Sequence, residues 1–360
     1  MKILYISPEN TVGTLSYWKK AHEANGHYCR YVTFFPTSSG YEEDICLNLP
    51  LVSSGKWFIK MRHWILHNIE KKKSWADIGG NPPIWNPPKW QNFIFKMREA
   101  LWTPIINKAI KKYNLDEFDV IHFEWGTDFF RNGKFAKAMQ KKGKKIICHY
   151  HGQDMRNRGV IPAMDKISQL NLTNELDLIS RHSNIHYLFL PYDVSYFYPK
   201  EKLNDELVIC HATTNREVKG SDEIIRVCEK LKKSYGIKFI FIENLPHNKV
   251  LELKSMADIY IDQITGHAPG YGMNSLESLS LGVASVTNLN QDFLKFIPNH
   301  PFINADTTNL ESKLVHVIEN RDLLWQYCIH GRQWVEETHD YHNVVKKLYE
   351  YYGKILNLNI

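Results

Sequence analysis

Two segments in the second half of the chain hold side chains whose types and spacing suit an anionic ligand. HATTNREVKGSDEII, His211 to Ile225, follows a strand-like run and sets Arg216 and Lys219 three residues apart, ahead of Gly220 and of Ser221, which reads as a helix cap. Two cations at the carboxyl end of a strand suit a diphosphate, because open α/β sheets bind ligands there and cationic groups make charge-assisted hydrogen bonds to phosphoryl oxygens. The plain alternative is a pair of solvated basic residues. HAPGYGMNSLESLSLG, His267 to Gly282, sets two glycines around a tyrosine and then opens a helix. Helical spacing sends Leu276, Leu279 and Val283 to a core, whereas Glu277 falls on a different face in the first turn, where its charge suits the helix dipole. The glycines allow close backbone approach, and the free amides of Met273, Asn274 and Ser275 suit phosphate or sugar oxygens. There is no third glycine of a dinucleotide fingerprint and no Walker lysine.

The elements that must position these residues alternate between short β-branched or aromatic runs and longer helical patterns. The runs are KILYIS at Lys2, YVTFF at Tyr31, DVIHF at Asp119, KKIICHY at Lys144 and NIHYLFL at Asn184. A second series holds ELVICHA at Glu206, KFIFIE at Lys238, ADIYID at Ala257 and VASVTN at Val283. This alternation predicts parallel strands with crossover helices in two doubly wound α/β domains. Pro191 to Asp205, rich in proline and charge, reads as the linker, giving domains over 1–192 and 193–340 and a C-terminal helix over 341–360. In that helix Val344, Val345, Leu348, Tyr351 and Tyr352 recur at helical spacing. It either stays with its own domain or packs back across both.

A length of 360 residues, 43% of them hydrophobic, accommodates two domains with separate cores. The net charge of +6 is too small for a nucleic-acid-coating protein but favours a phosphate group or an anionic membrane surface. Six scattered cysteines with no CxxC pair argue against a zinc knuckle or a disulfide framework and fit a reducing cytoplasm. No signal core and no run of roughly 18 apolar residues is present, so the expectation is a soluble or peripheral protein. One insertion, about 54–113, interrupts the alternation. Its segment 54–75 mixes Trp57, Phe58, Met61, Trp64 and Ile65 with lysines and Arg62, as an amphipathic helix on an anionic membrane would. The bland reading is an insertion with solvated lysines.

HATTNREVKG, SMADIYIDQ and GYGMNSLESLSLGVASVTN, with DVIHFEWG and CHYHGQDMR in the first half, resemble the retaining, nucleotide-sugar-dependent glycosyltransferases of the GT-B fold, family 4 and its relatives. The resemblance covers nearly the whole chain. It implies two Rossmann-like domains facing a central cleft, a nucleoside diphosphate sugar as donor, and a glycan, lipid-linked or small-molecule hydroxyl acceptor held by the N-terminal domain. It implies that Glu277 binds the donor's ribose hydroxyls and that Arg216 and Lys219 neutralise the leaving diphosphate. Gly272, Met273 and Asn274 correspond to the loop holding the sugar hydroxyls and phosphate, and Gly13 to the glycine that approaches the donor phosphates. His151 corresponds to the histidine that points at the donor sugar; standing alone it would read as a brace of its turn. Asp154 reads as a cap of that turn. For His122 and Glu124 an acceptor-facing role and a structural one both stand.

One departure is clear. The family carries a second glutamate eight residues before Glu277, where this chain has Pro269, which offers neither a carboxylate nor an amide hydrogen. His267 and Asp262 are the candidates to replace its contact to the transferred sugar. No metal or cofactor is implied, since positive side chains take a cation's place, and nucleic acid is not an expected partner. The expected location is the cytoplasm, with association at the inner face of the membrane. Pro269 motivates two alternatives, a non-catalytic GT-B protein that binds nucleotide or glycan, and a sugar-nucleotide epimerase.

Overall fold

Strands that read as continuous hydrophobic runs should be covered on both faces, as in parallel sheets with helices above and below. A computed structural model of the protein shows this for residues 1–37, 40–51, 80–196, 198–266 and 270–358, which it describes. The expected membrane-facing stretch at 54–75 and both His267 and Pro269 lie outside the described residues. The chain divides into two compact units, Met1–Pro191 with Val344–Ile360, and Tyr192–Asn343.

In the first unit, β1 (Lys2–Ser7), β2 (Tyr28–Thr33), β3 (Ile45–Cys46), β4 (Val120–Glu124), β5 (Lys145–Tyr150), β6 (Leu170–Thr173) and β7 (His186–Tyr187) form one sheet. Its order is β3-β2-β1-β4-β5-β6-β7, and every pairing is parallel. Ile3–Ser7 and all of β4 are buried. The second unit holds β8 (Val208–Thr213), β9 (Lys238–Glu243), β10 (Ile259–Gln263), β11 (Ala284–Thr287) and β12 (Ile303–Asn304), again all parallel, in the order β12-β11-β10-β8-β9. Each sheet therefore reverses its direction of growth once, between β1 and β4 in the first and between β8 and β10 in the second. At such reversals the connections diverge and leave a crevice at the strands' carboxyl ends.

Three strands were not anticipated: β3 and β12 are two residues long, and β6, LNLT, is a four-residue piece without a flanking apolar run. The run NIHYLFL pairs only over His186–Tyr187, and the second strand begins at Tyr28 rather than Tyr31. The C-terminal helix spans Tyr341–Leu356, and from Val344 onward it belongs to the N-terminal unit, burying Val344, Val345, Leu348 and Tyr352. The hydroxyls of Tyr349 and Tyr352 are hydrogen-bonded to His22 Nδ1 (2.9 Å) and His122 Nε2.

The turn leaving β4 encloses Asp128, almost fully buried, whose Oδ2 accepts the Ala136 amide at 3.0 Å. Burial pushes its carboxyl up to about 7, against which the neighbouring amides are too weak. The folded state thus holds a proton that the unfolded chain releases, and stability should fall as pH rises from about 4 to about 7. Asp128→Asn is expected to flatten that part of the stability profile, followed by urea midpoints across pH. An unchanged slope would place the proton uptake elsewhere.

Candidate functional site

The crevice of the second sheet is lined from the ends of β8, β9 and β10 and from the helix Met273–Ser280. Lys219 closes a one-turn helix, Arg216–Lys219, directly after β8, and its Nζ meets Asp262 Oδ1 at the end of β10. The second oxygen of Asp262 accepts the Ser275 hydroxyl at 2.6 Å. Burial would raise this carboxyl, but Lys219 and Ser275 hold it below its ordinary range, so it is ionised. Asp262 thereby fixes the lysine through one oxygen and the start of the Met273 helix through the other. Arg216 turns the other way: it forms a two-pronged pair with Glu243 at the end of β9 (2.8 and 2.9 Å) and lies 5.0 Å from the Phe241 ring centroid. The two cations therefore serve opposite flanks of β8.

Ser221 caps no helix. Gly220, at φ +74°, holds that position, Asn215 caps the preceding turn, and the Ser221 hydroxyl bonds buried His211 at 2.8 Å. Burial lowers His211 to about 4, so it is a neutral strut between β10 and the helix that follows.

The loop entering the Met273 helix is tied by Gln263, whose amide nitrogen donates to Gly270 O and Asn288 O, both at 3.1 Å, and by Thr287, whose hydroxyl donates to Gly270 O at 2.9 Å. Gly270 has φ +99°, and a Cβ there would press on Phe293 at 2.5 Å, so no larger residue fits. Gly272 is extended, takes the cap position without a side-chain cap, and faces open space where a Cβ would be. The amides of Met273 and Asn274 follow it at the positive end of the helix.

Glu277, expected on a different face from the core positions Leu276 and Leu279, is buried as well, at 3% exposed. His247 Nε2 approaches Oε1 at 2.7 Å, and Lys254 Nζ, fully buried, approaches Oε2. Lys254 also donates to Asn274 Oδ1 at 2.7 Å and stands 4.5 Å from the Tyr260 ring centroid. Burial alone would raise the Glu277 carboxyl; Lys254 and His247 hold it ionised. The missed signal is in the sequence: Lys254 sits one turn after Leu251 on the inward face of its helix, and a lysine there needs a buried carboxylate.

At the reversal of the N-terminal sheet, Glu124 ends β4 opposite His149 on β5. His151 follows two residues later, its Nε2 on Glu124 Oε2 and its Nδ1 2.9 Å from Asn174 Oδ1. His149 Nδ1 lies 3.6 Å from the same Glu124 oxygen, and the two imidazole centroids are 4.3 Å apart. Burial opposes charge on His151, yet Glu124 and Asp154 outweigh it and raise it to about 9. Burial keeps His149 low and neutral. Glu124 is held ionised by the two histidines against the upward push of burial. Among the described residues this is the one His/carboxylate group compact enough for a metal ion, with ligand atoms within 4.8 Å of one another; a metal there would have to displace the proton that Glu124 holds on His151. Without a metal, Glu124 and His151 form a carboxylate–imidazolium pair beside the neutral imidazole of His149. The His-x-His spacing on a strand end carried that signal, and His149 was overlooked.

Asp154, expected to cap the following turn, lies inside the helix Gln153–Asn157, whose cap position is Gly152 without a side-chain cap; its carboxylate instead braces the turn, accepting the His151 amide at 3.0 and 3.1 Å and the Met155 amide at 2.6 Å. His122 is buried, stacked on Tyr5 at 4.3 Å, bonded to Tyr352 and pushed down to about 3 by burial, which makes it a structural neutral imidazole. Gly13, at φ +77°, takes the cap position of the helix Thr14–Ala24, and a Cβ there would meet the Tyr41 ring at 2.9 Å.

No family model matches the chain, and no curated protein matches it in sequence. Solved structures do match in shape. HepE of Anabaena, in complex with UDP, superposes with a TM-score of 0.55 at 12% identity over 97% of this chain and 99% of that one. The sucrose-phosphate synthase of Thermosynechococcus elongatus gives 0.60 at 12% over 99% of both, and a glycosyltransferase from Rickettsia africae gives 0.58 at 13% over 100% and 99%. Identities this low speak for architecture, and together with the two parallel sheets of seven and five strands they show that the chain has the GT-B fold.

Proposed function

We propose that the protein transfers a sugar from a nucleoside diphosphate donor to the hydroxyl of a glycan or lipid-linked acceptor, with retention at the anomeric carbon. The observation that carries this reading is Lys219, held by buried Asp262 at the sheet reversal, beside the open, glycine-led start of the Met273 helix. Negative charge grows on the leaving diphosphate as the glycosidic bond breaks, and a fixed ammonium with backbone amides stabilises it without a metal. Arg216, on the opposite flank of β8, reaches the distal phosphate in this reading. Glu277 keeps acceptor capacity beyond His247 and Lys254, because an ionised carboxylate has about four lone-pair positions, and it takes the ribose hydroxyls. His151, as an imidazolium, donates to the donor sugar. Retention needs no carboxylate nucleophile when the departing phosphate itself deprotonates the acceptor.

The test is incubation of the purified protein with UDP-, GDP- and ADP-sugars and an acceptor pool, with products resolved by mass spectrometry and the anomeric configuration by NMR. Lys219→Met is expected to lower turnover by about 10²–10³-fold, on the scale of one lost electrostatic contact to the transition state. It should stay folded, since Asp262 can take up a proton. Turnover should persist in EDTA. Unchanged turnover in Lys219→Met would sink the assignment. Donor consumption without an acceptor would indicate epimerisation, and nucleotide binding with no product would indicate a binding protein.

A further inference from the structure

The helix Lys89–Tyr113 and the turn after β4 bring together two guanidinium groups, Arg98 and Arg131, that form no ion pair among the described residues; Glu99 acts on both only at longer range. Arg131 lies 5.3 Å from the Trp85 ring centroid and 5.2 Å from that of Phe95; Arg98 lies 5.1 Å from Phe95 and 4.3 Å from Trp102. Aromatic faces orient both planes but accept none of their in-plane N–H groups. Neither side chain has a hydrogen-bond or ion-pair partner among the described residues, and Arg98 Nε is fully buried without one. The neighbouring carboxylate, Glu99, is turned to the Arg131 backbone amide, 2.7 Å away. Arg158 spends its donors on Thr127 Oγ1 (2.8 Å), Gly159 O (3.1 Å) and Trp125 O, and adds a like charge nearby.

Both side chains are half-buried; a guanidinium stays charged at any physiological pH, so partly desolvating one without a close counter-charge is costly, and two side by side are costlier. Elsewhere in this unit the same residue type is answered: Arg30 by Asp44, and Arg156 by Glu175 and Asp177. We propose that Arg98 and Arg131, held by Trp85, Phe95 and Trp102, form a binding site for a phosphoryl-class oxyanion on the N-terminal unit. A planar fork offers parallel N–H donors to phosphoryl oxygens, and two forks suit a dianionic phosphate or a diphosphate. The site does not depend on sugar transfer. Its ligand has two sources with the same chemistry, a soluble phosphate or a lipid headgroup. The second is motivated by Phe93, Ile94, Met97 and Leu101, which expose their side chains along the same helix.

The experiment compares full-length wild type with Arg98→Met/Arg131→Met, using thermal shift and calorimetry with inorganic phosphate and with pyrophosphate, at ionic strength matched by chloride. A second arm measures sedimentation with phosphatidylcholine vesicles that do or do not contain phosphatidic acid. The donor crevice is intact in both proteins, so a phosphate bound there cancels in the comparison. The proposal expects the double variant to bind pyrophosphate, or phosphatidate vesicles, about 10- to 100-fold more weakly, the range for losing charge-assisted hydrogen bonds. It also expects the variant to melt no lower than wild type without ligand, because an unanswered charge has been removed. Loss in the soluble arm identifies a soluble phosphate, and loss in the vesicle arm alone identifies a headgroup. Equal binding by both proteins in both arms overturns the site. Should the double variant misfold, Arg131→Lys keeps the charge without the fork and is expected to bind about 10-fold more weakly; binding equal to wild type there overturns the proposal as well.

Discussion

Glu277→Ala is expected to destabilise the C-terminal unit by about 3–5 kcal/mol, the usual consequence of leaving one member of a buried ion pair without its partner. The stranded group is Lys254, which has no exposed surface; once the carboxylate is gone, Asn274 and the Tyr260 ring are what it has left among the described residues. The alanine variant therefore confounds folding with ligand binding: an inactive Glu277→Ala protein would say little about ribose recognition. Lys254→Met with Glu277→Leu separates the two. Replacing both charges with apolar groups of similar volume is often neutral, so urea midpoints of the double variant should return close to wild type. Its affinity for the nucleoside diphosphate, if the carboxylate does hold the ribose, should remain lost. If Glu277→Ala unfolds at the wild-type midpoint, the pair is not a structural unit; if the double variant regains nucleotide binding along with stability, Glu277 does not touch the nucleotide.

Much of this was legible in the sequence where a physical pattern repeats. Buried parallel strands read as unbroken apolar runs, so KILYIS, DVIHF, KKIICHY and ADIYID were visible, whereas β3 and β12, with two paired residues each, have no period to detect. The carboxyl-end position of Lys219 followed from its place one turn past a strand. What could not be read was which partner each charge would choose. Arg216 and Lys219 are three residues apart, yet one turns to β9 and the other to β10, because the strand order places those strands on opposite sides of β8. Asp262, considered as a sugar contact, is paired with Lys219 and Ser275. Sequence neighbours gave the cations, and sheet topology assigned their counterions.

The same topology brings Glu124 against His149 and His151, and the largest pH effect is expected there. In the folded protein His151 is raised to about 9, although burial alone would lower it, because Glu124 lies against its Nε2. Its ordinary value is near 6.5, so the stability it contributes is complete below about 6.5 and is lost as pH rises through about 9. Glu124, depressed below its ordinary value near 4.5, contributes in the opposite sense, losing its share as the solution becomes more acidic. The pair titrates as one unit and should be strongest between about pH 4.5 and 6.5, the ordinary values of the two groups. Glu124→Gln retains the shape and a hydrogen-bond acceptor but removes the largest influence opposing burial, leaving only the weaker ones of Asp154 and Asn174 to hold the His151 proton. Imidazole NMR should then show His151 neutral at pH 7 in the variant and protonated in wild type, and the alkaline loss of stability between about pH 6.5 and 9 should disappear. If His151 donates to the donor sugar as an imidazolium, kcat/KM at pH 7 should fall by about 10²-fold, in the range of positioned acid groups, and partly recover as the pH is lowered. A variant whose His151 still titrates near 9 would show that Glu124 does not hold the proton in place.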